Sequence, residues 1–468
     1  MDRINRRRFL KAAAAGGIAY AFGRTAQAVH AEMALAHPNV GSALADYKAL
    51  VCVFLFGGND SWNMVVPRSN AEYNVYAQSR QNLAIPQASL LPINPLVPDP
   101  GGAQYGLHPN LAEVAALFEQ DQVCALLANV GPLIEPTTQS QYFAQAVRLP
   151  PQLFSHNDQQ DQWHSLKGQT TATSGWAGRI ADVLAAPGMP PLNQSVAVNI
   201  SLSGQTLFQA GRQSIPYTMG PTGPVNYFGL DGTDPLSLAR RAAFDQVLAA
   251  SQATIYERAF AQVQQRSLRA AASINTALAT ARAPNPVPFS TVFPASPLGQ
   301  QLKTVAELIA VRDQLQASRQ IFFVATGGFD THDAQVADQP NLLGNVSRSL
   351  AAFYRASVEM GVAQSVTAFT QSDFGRTLTS NGDGTDHAWG GIQLVVGGSV
   401  AGRTLYGRYP VLQIGGPDDV GGGRMIPAVS SDQFAATLAK WIGIPDAQLA
   451  TVAPHIGNFV QRDLGFML

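Results

Sequence analysis

Residues 50–60 read LVCVFLFGGND. An unbroken apolar run that ends in two glycines and an acid describes a strand buried on both faces, closed by a tight turn. The pattern recurs at 320–332, QIFFVATGGFDTH, and a related run at 365–376, SVTAFTQSDFGR, also ends in an acid, there followed by Phe374 and Gly375. Further strand-like runs lie at Gln122–Ala128, Ser195–Ile200 and Gly391–Val396. Between them the apolar spacing becomes helical. Leu302, Val305, Leu308 and Ile309 mark one face before the run at Ile321, and Leu342 to Met360 carries Leu350, Phe353 and Tyr354 on one side. Strands alternating with helices predict an α/β fold, a mostly parallel sheet with helices on both faces. Residues 236–281 are rich in Ala, Gln and Arg and lack Gly and Pro, so they predict two or three helices inserted into the sheet domain.

Composition fits a large core. The 468 residues are 46% hydrophobic and 13% charged, about half the ~25% usual in soluble domains. Mean hydropathy is +0.01. Low charge with ample apolar material excludes disorder, and a net charge of -1 with no basic cluster beyond the N-terminus excludes a nucleic-acid binder. Cys52 and Cys124 lie in apolar runs and read as buried free thiols; a disulfide would require neighbouring strands.

Asn5-Arg6-Arg7-Arg8-Phe9-Leu10-Lys11 resembles the twin-arginine export motif, with Asn5 in place of the hydroxyl residue. The weakly apolar stretch Ala12 to Phe22 is too short to span a bilayer, and Ala26-Gln27-Ala28 offers a cleavage site. Residues 1–28 are therefore expected to be a signal peptide, and 29–468 a single domain. Their removal takes six of 30 Lys/Arg and one of 31 Asp/Glu, leaving 24 basic against 30 acidic residues. The expected location is periplasmic or secreted, with the twin-arginine translocase as export partner. No apolar run after residue 30 reaches the ~18 residues of a membrane span.

In open α/β sheets ligands bind beyond the carboxyl ends of the strands. Parallel strands would bring Asp60, Asp330 and Asp373 toward that edge. Asp330 and His332, two residues apart, share a face if the chain stays extended and make a half-site for Zn²⁺ or a similar ion. A second Asp-His pair follows at Asp386-His387, in Gly384-Thr385-Asp386-His387-Ala388-Trp389. Converging carboxylates would repel one another without a cation. The expected metal ligands are Asp60, Asp330, His332, Asp373 and His387. Ser155 and His156, in Leu153-Phe154-Ser155-His156-Asn157-Asp158, are candidate catalytic groups, although neighbours in sequence do not form a triad by themselves. Ser61 is a further hydroxyl candidate, and Arg376 is expected to stabilise charge on a transferring group.

The segments FLFGGNDSWNMVVP (54–67), LFSHNDQQDQW (153–163), ATGGFDTHDAQ (325–335) and QSDFGRTLTSNGDGTDHAWGG (371–391) together resemble the domain-of-unknown-function 1501 family of exported bacterial proteins. That family is similar to the alkaline phosphatase and sulfatase superfamily. The resemblance implies an α/β/α sandwich with Asp and His ligands at strand ends. It implies Asp60 as the first-strand ligand, Asp330 and His332 as one metal site, Asp373 after a later strand and His387 downstream. The chain departs from the superfamily at Phe374, where a His often follows the later Asp, and in the short spacing of Asp330-Thr331-His332. It has neither a Cys-x-Pro-x-Arg sulfatase motif nor an Asp-Ser-Ala phosphatase signature.

The expected function is an exported hydrolase of phosphate or sulfate esters that uses a divalent metal, zinc by its donor set, on a small-molecule or polymeric ester. The competing expectations are a non-catalytic binding protein on a degenerate phosphatase-like fold, and a metal-free hydrolase acting through Ser155 and His156.

Overall fold

The computed structural model describes residues 46–468 apart from 193, 226, 228, 231, 251–253 and 284–288. The signal sequence read at 1–28 lies outside the described residues. The central sheet has nine strands: β1 (Lys48–Leu55), β2 (Cys124–Gly131), β3 (Asn199–Ser201), β4 (Tyr217–Thr218), β5 (Arg319–Thr326), β6 (Val366–Ser372), β7 (Gly391–Gly397), β8 (Thr404–Tyr406) and β9 (Val429–Ser430). Their order is β8-β2-β7-β6-β1-β5-β3-β4, with β9 beside β2. Every pairing is parallel except those of β7, which runs antiparallel to both β6 and β2. The sheet is therefore mixed and mostly parallel.

Strand β1 is central because it is apolar on both faces. Ala49, Val51, Val53 and Leu55 enter one core, and Leu50, Cys52 and Phe54 enter the other. The first core is completed by α2 (Ala112–Glu119), the end of α6 (Ile255–Ala281), α7 (Pro297–Ala310) and α8 (Gln335–Glu359). The second is completed by α3 (His156–Ser165), α4 (Trp176–Leu184) and α9 (Ser431–Ile442). Helices thus cover both faces. Each fully buried Val, Leu or Phe contributes about 1.5–3 kcal/mol, so β1 alone is a major source of stability.

Local signals set the helix starts. Ser296 accepts from the Gly299 N–H with Pro297 at the first helical position of α7, and Ser430 and Gln433 form a capping box on α9, which ends at Gly443 in the left-handed conformation. The insertion read at 236–281 is two helices, α5 (Pro235–Ala249), capped by Asp234, and α6, capped by Thr254. Among the described residues no helix is long and apolar enough to cross a membrane.

Register fixes where the site forms. Leu55 pairs with Thr326 on one side and Ser372 on the other, so three chains leave the sheet at one level. Antiparallel β7 begins where β6 ends, so residues 373–390 all remain at this carboxyl edge. Gly57 (φ +115°) and Gly58 (φ +85°) then thread between two loops. A Cβ on Gly57 would overlap the Asp330 backbone, and one on Gly58 would overlap the Phe374 ring.

Cys52 and Cys124 are both free and buried, on strands separated by β6 and β7 and facing opposite cores. Burial pushes the Cys124 thiol up to about 12. Both thiols should react with Ellman's reagent only after denaturation, and reducing agent should leave Tm unchanged.

Candidate metal centre

Three imidazoles converge on the Asp330 carboxylate. The Nε2 atoms of His156, His332 and His387 lie 3.3, 3.1 and 3.4 Å from its oxygens. On each ring the other nitrogen, Nδ1, faces an oxygen. His156 Nδ1 is 2.7 Å from Asp373 Oδ2, His387 Nδ1 is 2.7 Å from the Phe154 carbonyl, and His332 Nδ1 is 3.2 Å from Asp386 Oδ1. The Phe154 carbonyl can only accept, so a neutral His387 carries its proton on Nδ1 and keeps a lone pair on Nε2; His156 and His332 face carboxylates at both nitrogens, and the shorter Asp373 contact favours the Nδ1 proton on His156. This is the outer-shell arrangement that fixes a metal-binding histidine.

The donor atoms of His156, Asp330 and His387 all lie within 4.8 Å of one another. A tetrahedral zinc site with bonds of ~2.0–2.1 Å has ligand edges of about 3.4 Å, close to the separations between Asp330 and the rings. His332 Nε2 also lies 2.9 Å from His387 Nε2. At that distance one ring donates an Nε2 proton to the other, or a cation lies between them. The side chain of Asp330 is 45% exposed, which leaves the group open to solvent on one side. Two histidines, a carboxylate and an open face make up a donor set suited to a catalytic-type zinc site.

The walls of the group are fixed by buried contacts. Arg376 is fully buried and donates to Asp330 Oδ1 (2.7 Å), the Gly57 carbonyl (3.1 Å) and Thr385. Burial alone would raise the Asp330 pKa. The Arg376 bond and charge, aided by His156 and His332, hold it below the usual carboxylate range. His387 is shifted down by burial, against the pull of the Phe154 carbonyl, which favours the neutral ring a metal needs. Phe374 packs against the His156 and His387 rings, with centroids 4.8 and 4.5 Å away. Phe154 is held at φ +75°, an uncommon conformation for a bulky residue, which orients the carbonyl that anchors His387.

The sequence-predicted ligands separate into those brought together and those set apart. Asp330 and His387 belong to the group, and His332 adjoins it. Asp373 is buried one layer behind, accepting from His156, Gln160 and the Gly57 N–H. It orients His156 and takes no place in the open group. Asp60 is elsewhere: it is buried and ion-paired to Arg80, and it accepts from Gln335 at the start of α8. The physical reason is offset. Asp60 lies five residues past the end of β1, whereas Asp373 directly follows β6.

His156, expected as a catalytic group beside Ser155, lies instead among the carboxylates. Its contacts are Asp373 and Asp330, while the Ser155 hydroxyl donates to Asp158 at 2.6 Å, so the two do not form a nucleophile–base pair. Ser61 is buried and its hydroxyl accepts from the Ile392 N–H. Arg376 is fully buried and gives four of its five N–H groups to Asp330, Gly57 and Thr385, so it meets protein partners where a transferring group was expected. Asp386 and Phe374 were not among the expected site residues; the Asp-His adjacency at 386–387 was the only available signal for the former.

The family model described as "Protein of unknown function (DUF1501)" matches residues 47–458, and the chain belongs to that family. No curated protein matches the chain.

Two substitutions separate the ligand from the buried pair. Asp330→Asn should abolish zinc retention measured by metal analysis, and Asp60→Asn should retain it in whatever fraction folds. Asp373→Asn should weaken zinc affinity about 10–100-fold by releasing His156. Arg80→Ala should destabilise by about 3–5 kcal/mol in denaturant unfolding, because it strands the buried Asp60 charge.

Proposed function

We propose that this DUF1501 protein is an exported, metal-dependent hydrolase of phosphate or sulfate esters on an alkaline-phosphatase-like sandwich. The observation that carries the reading is the convergence of His156, Asp330 and His387 at the open carboxyl edge of the sheet, each imidazole anchored through Nδ1. These three residues would hold a divalent ion, zinc by donor type, with His332 at its rim. When bound, such an ion supplies Lewis acidity toward an ester oxygen and lowers the pKa of water.

The chain's own residues provide the rest. Asp373 and the Phe154 carbonyl fix the two ring orientations, and Arg376 offsets the charge of Asp330. Since Ser155 is tied to Asp158 and Ser61 is buried, the nucleophilic oxygen is assigned to water. Residues 1–28 support export through the twin-arginine translocase to a periplasmic or secreted location, with 29–468 as the mature domain.

A second reading, a non-catalytic exported binding protein, is favoured by Phe374, which fills a position where the superfamily often places another histidine. The two readings part on turnover. A phosphate- and sulfate-ester panel with zinc-loaded protein should reveal hydrolysis that chelator abolishes and Asp330→Asn eliminates. Ser155→Ala should keep activity within a few-fold. Zinc binding with no turnover of any ester would support the binding protein instead. Activity that survives chelation but is lost in Ser155→Ala would point to the metal-free alternative.

A further inference from the structure

Arg424 is a cation beside this centre with no carboxylate partner among the described residues. Its Nε donates to the His387 carbonyl at 3.1 Å, its Nη1 donates to the Gly421 carbonyl at 3.0 Å, and its guanidinium lies over the Phe154 ring, 5.2 Å from the centroid. These contacts close a ring with the His387-to-Phe154 hydrogen bond. The guanidinium is thus fixed against two residues that build the centre, and its charge is not neutralised.

The loop that carries it is also built. The buried Asp419 carboxylate accepts from the Gly415, Gly421 and Gly423 N–H groups at 2.7–2.8 Å. Gly421, Gly422 and Gly423 all have positive φ, which side-chain-bearing residues rarely adopt, so this course of the loop depends on glycine. Asp418 is consumed by a two-point pair with Arg408, which leaves it unavailable to Arg424.

Charge then decides the ligand. Asp330, Asp373 and Asp386 are offset by Arg376 and the divalent ion that His156, Asp330 and His387 would hold, and Arg424 adds a further positive charge at the wall. A guanidinium matches the paired oxygens of a tetrahedral oxyanion. We infer that Arg424 binds the phosphate or sulfate group of the substrate, the role that Arg376 is too buried and too fully bonded to fill. The inference rests on the metal-centre reading for its site, but its test separates the two.

The experiment is calorimetric titration of inorganic phosphate into full-length protein, with and without zinc, for wild type, Arg424→Gln and Arg424→Lys, with zinc content and Tm measured in parallel. The expected result is phosphate affinity at least tenfold lower in Arg424→Gln, partly restored in Arg424→Lys, with zinc content and Tm as in wild type. Should Arg424→Gln fail to fold, a several-fold loss in Arg424→Lys at full zinc content is the expected outcome. Unchanged phosphate affinity in either variant that folds overturns the inference, as does absence of phosphate binding to wild type. Joint loss of zinc and phosphate binding overturns it too, because that marks Arg424 as a clamp on His387. Phosphate binding that depends on Arg424 in a protein that takes up no zinc sustains the inference and removes the metal-centre reading.

Discussion

Three imidazole rings, each with its Nδ1 facing an oxygen, converge through Nε2 on the one Asp330 carboxylate, an arrangement suited to a shared proton or a cation at its centre. The Nε2 atoms of His332 and His387, 2.9 Å apart, can share a proton carried by one ring or a cation between them. Much of the carboxyl edge is organised to hold that convergence. Gly57 gives its carbonyl to Arg376 and its N–H to Asp373, so one glycine ties together the partner of Asp330 and the anchor of His156. Phe374 fills the space between the rings, and the strained Phe154 backbone supplies the third anchor.

The sheet makes this economical in chain length. Strands β1, β5 and β6 end in register, and β7 reverses direction, which keeps residues 373–390 at the same edge. His387 reaches the group because its segment never crosses the sheet. His156 comes from the first turn of α3, packed on the second core through Trp163. The centre is therefore braced by the second hydrophobic layer as well as by the strand ends.

Much of the fold could be read from the residues. Continuous apolar runs such as Leu50–Phe56 admit few alternatives to doubly buried strands, and β1, β2, β5, β6 and β7 lie where such runs occur. Strand direction was not legible, because an apolar run has no polarity; the reversal of β7 appears only in the pairing. For the site, Asp330 and His387 followed from strand-end and Asp-His spacing. Asp60 misled because matching Gly-Gly turns suggested matching destinations, yet its extra residues carry it to Arg80. His156 was singled out as a catalytic candidate with Ser155, and its partners 174 to 231 residues away could not be seen from its neighbours.

The central claim is that His156, Asp330 and His387 share one metal ion. Its most direct test is a crystal structure of the zinc-loaded protein with anomalous data collected at the zinc edge. The account predicts one anomalous peak at the carboxyl edge of the sheet, about 2.0–2.2 Å from His156 Nε2, His387 Nε2 and an Asp330 oxygen. A zinc-replete crystal with no peak there, or with the ion bound at Asp60, would contradict it.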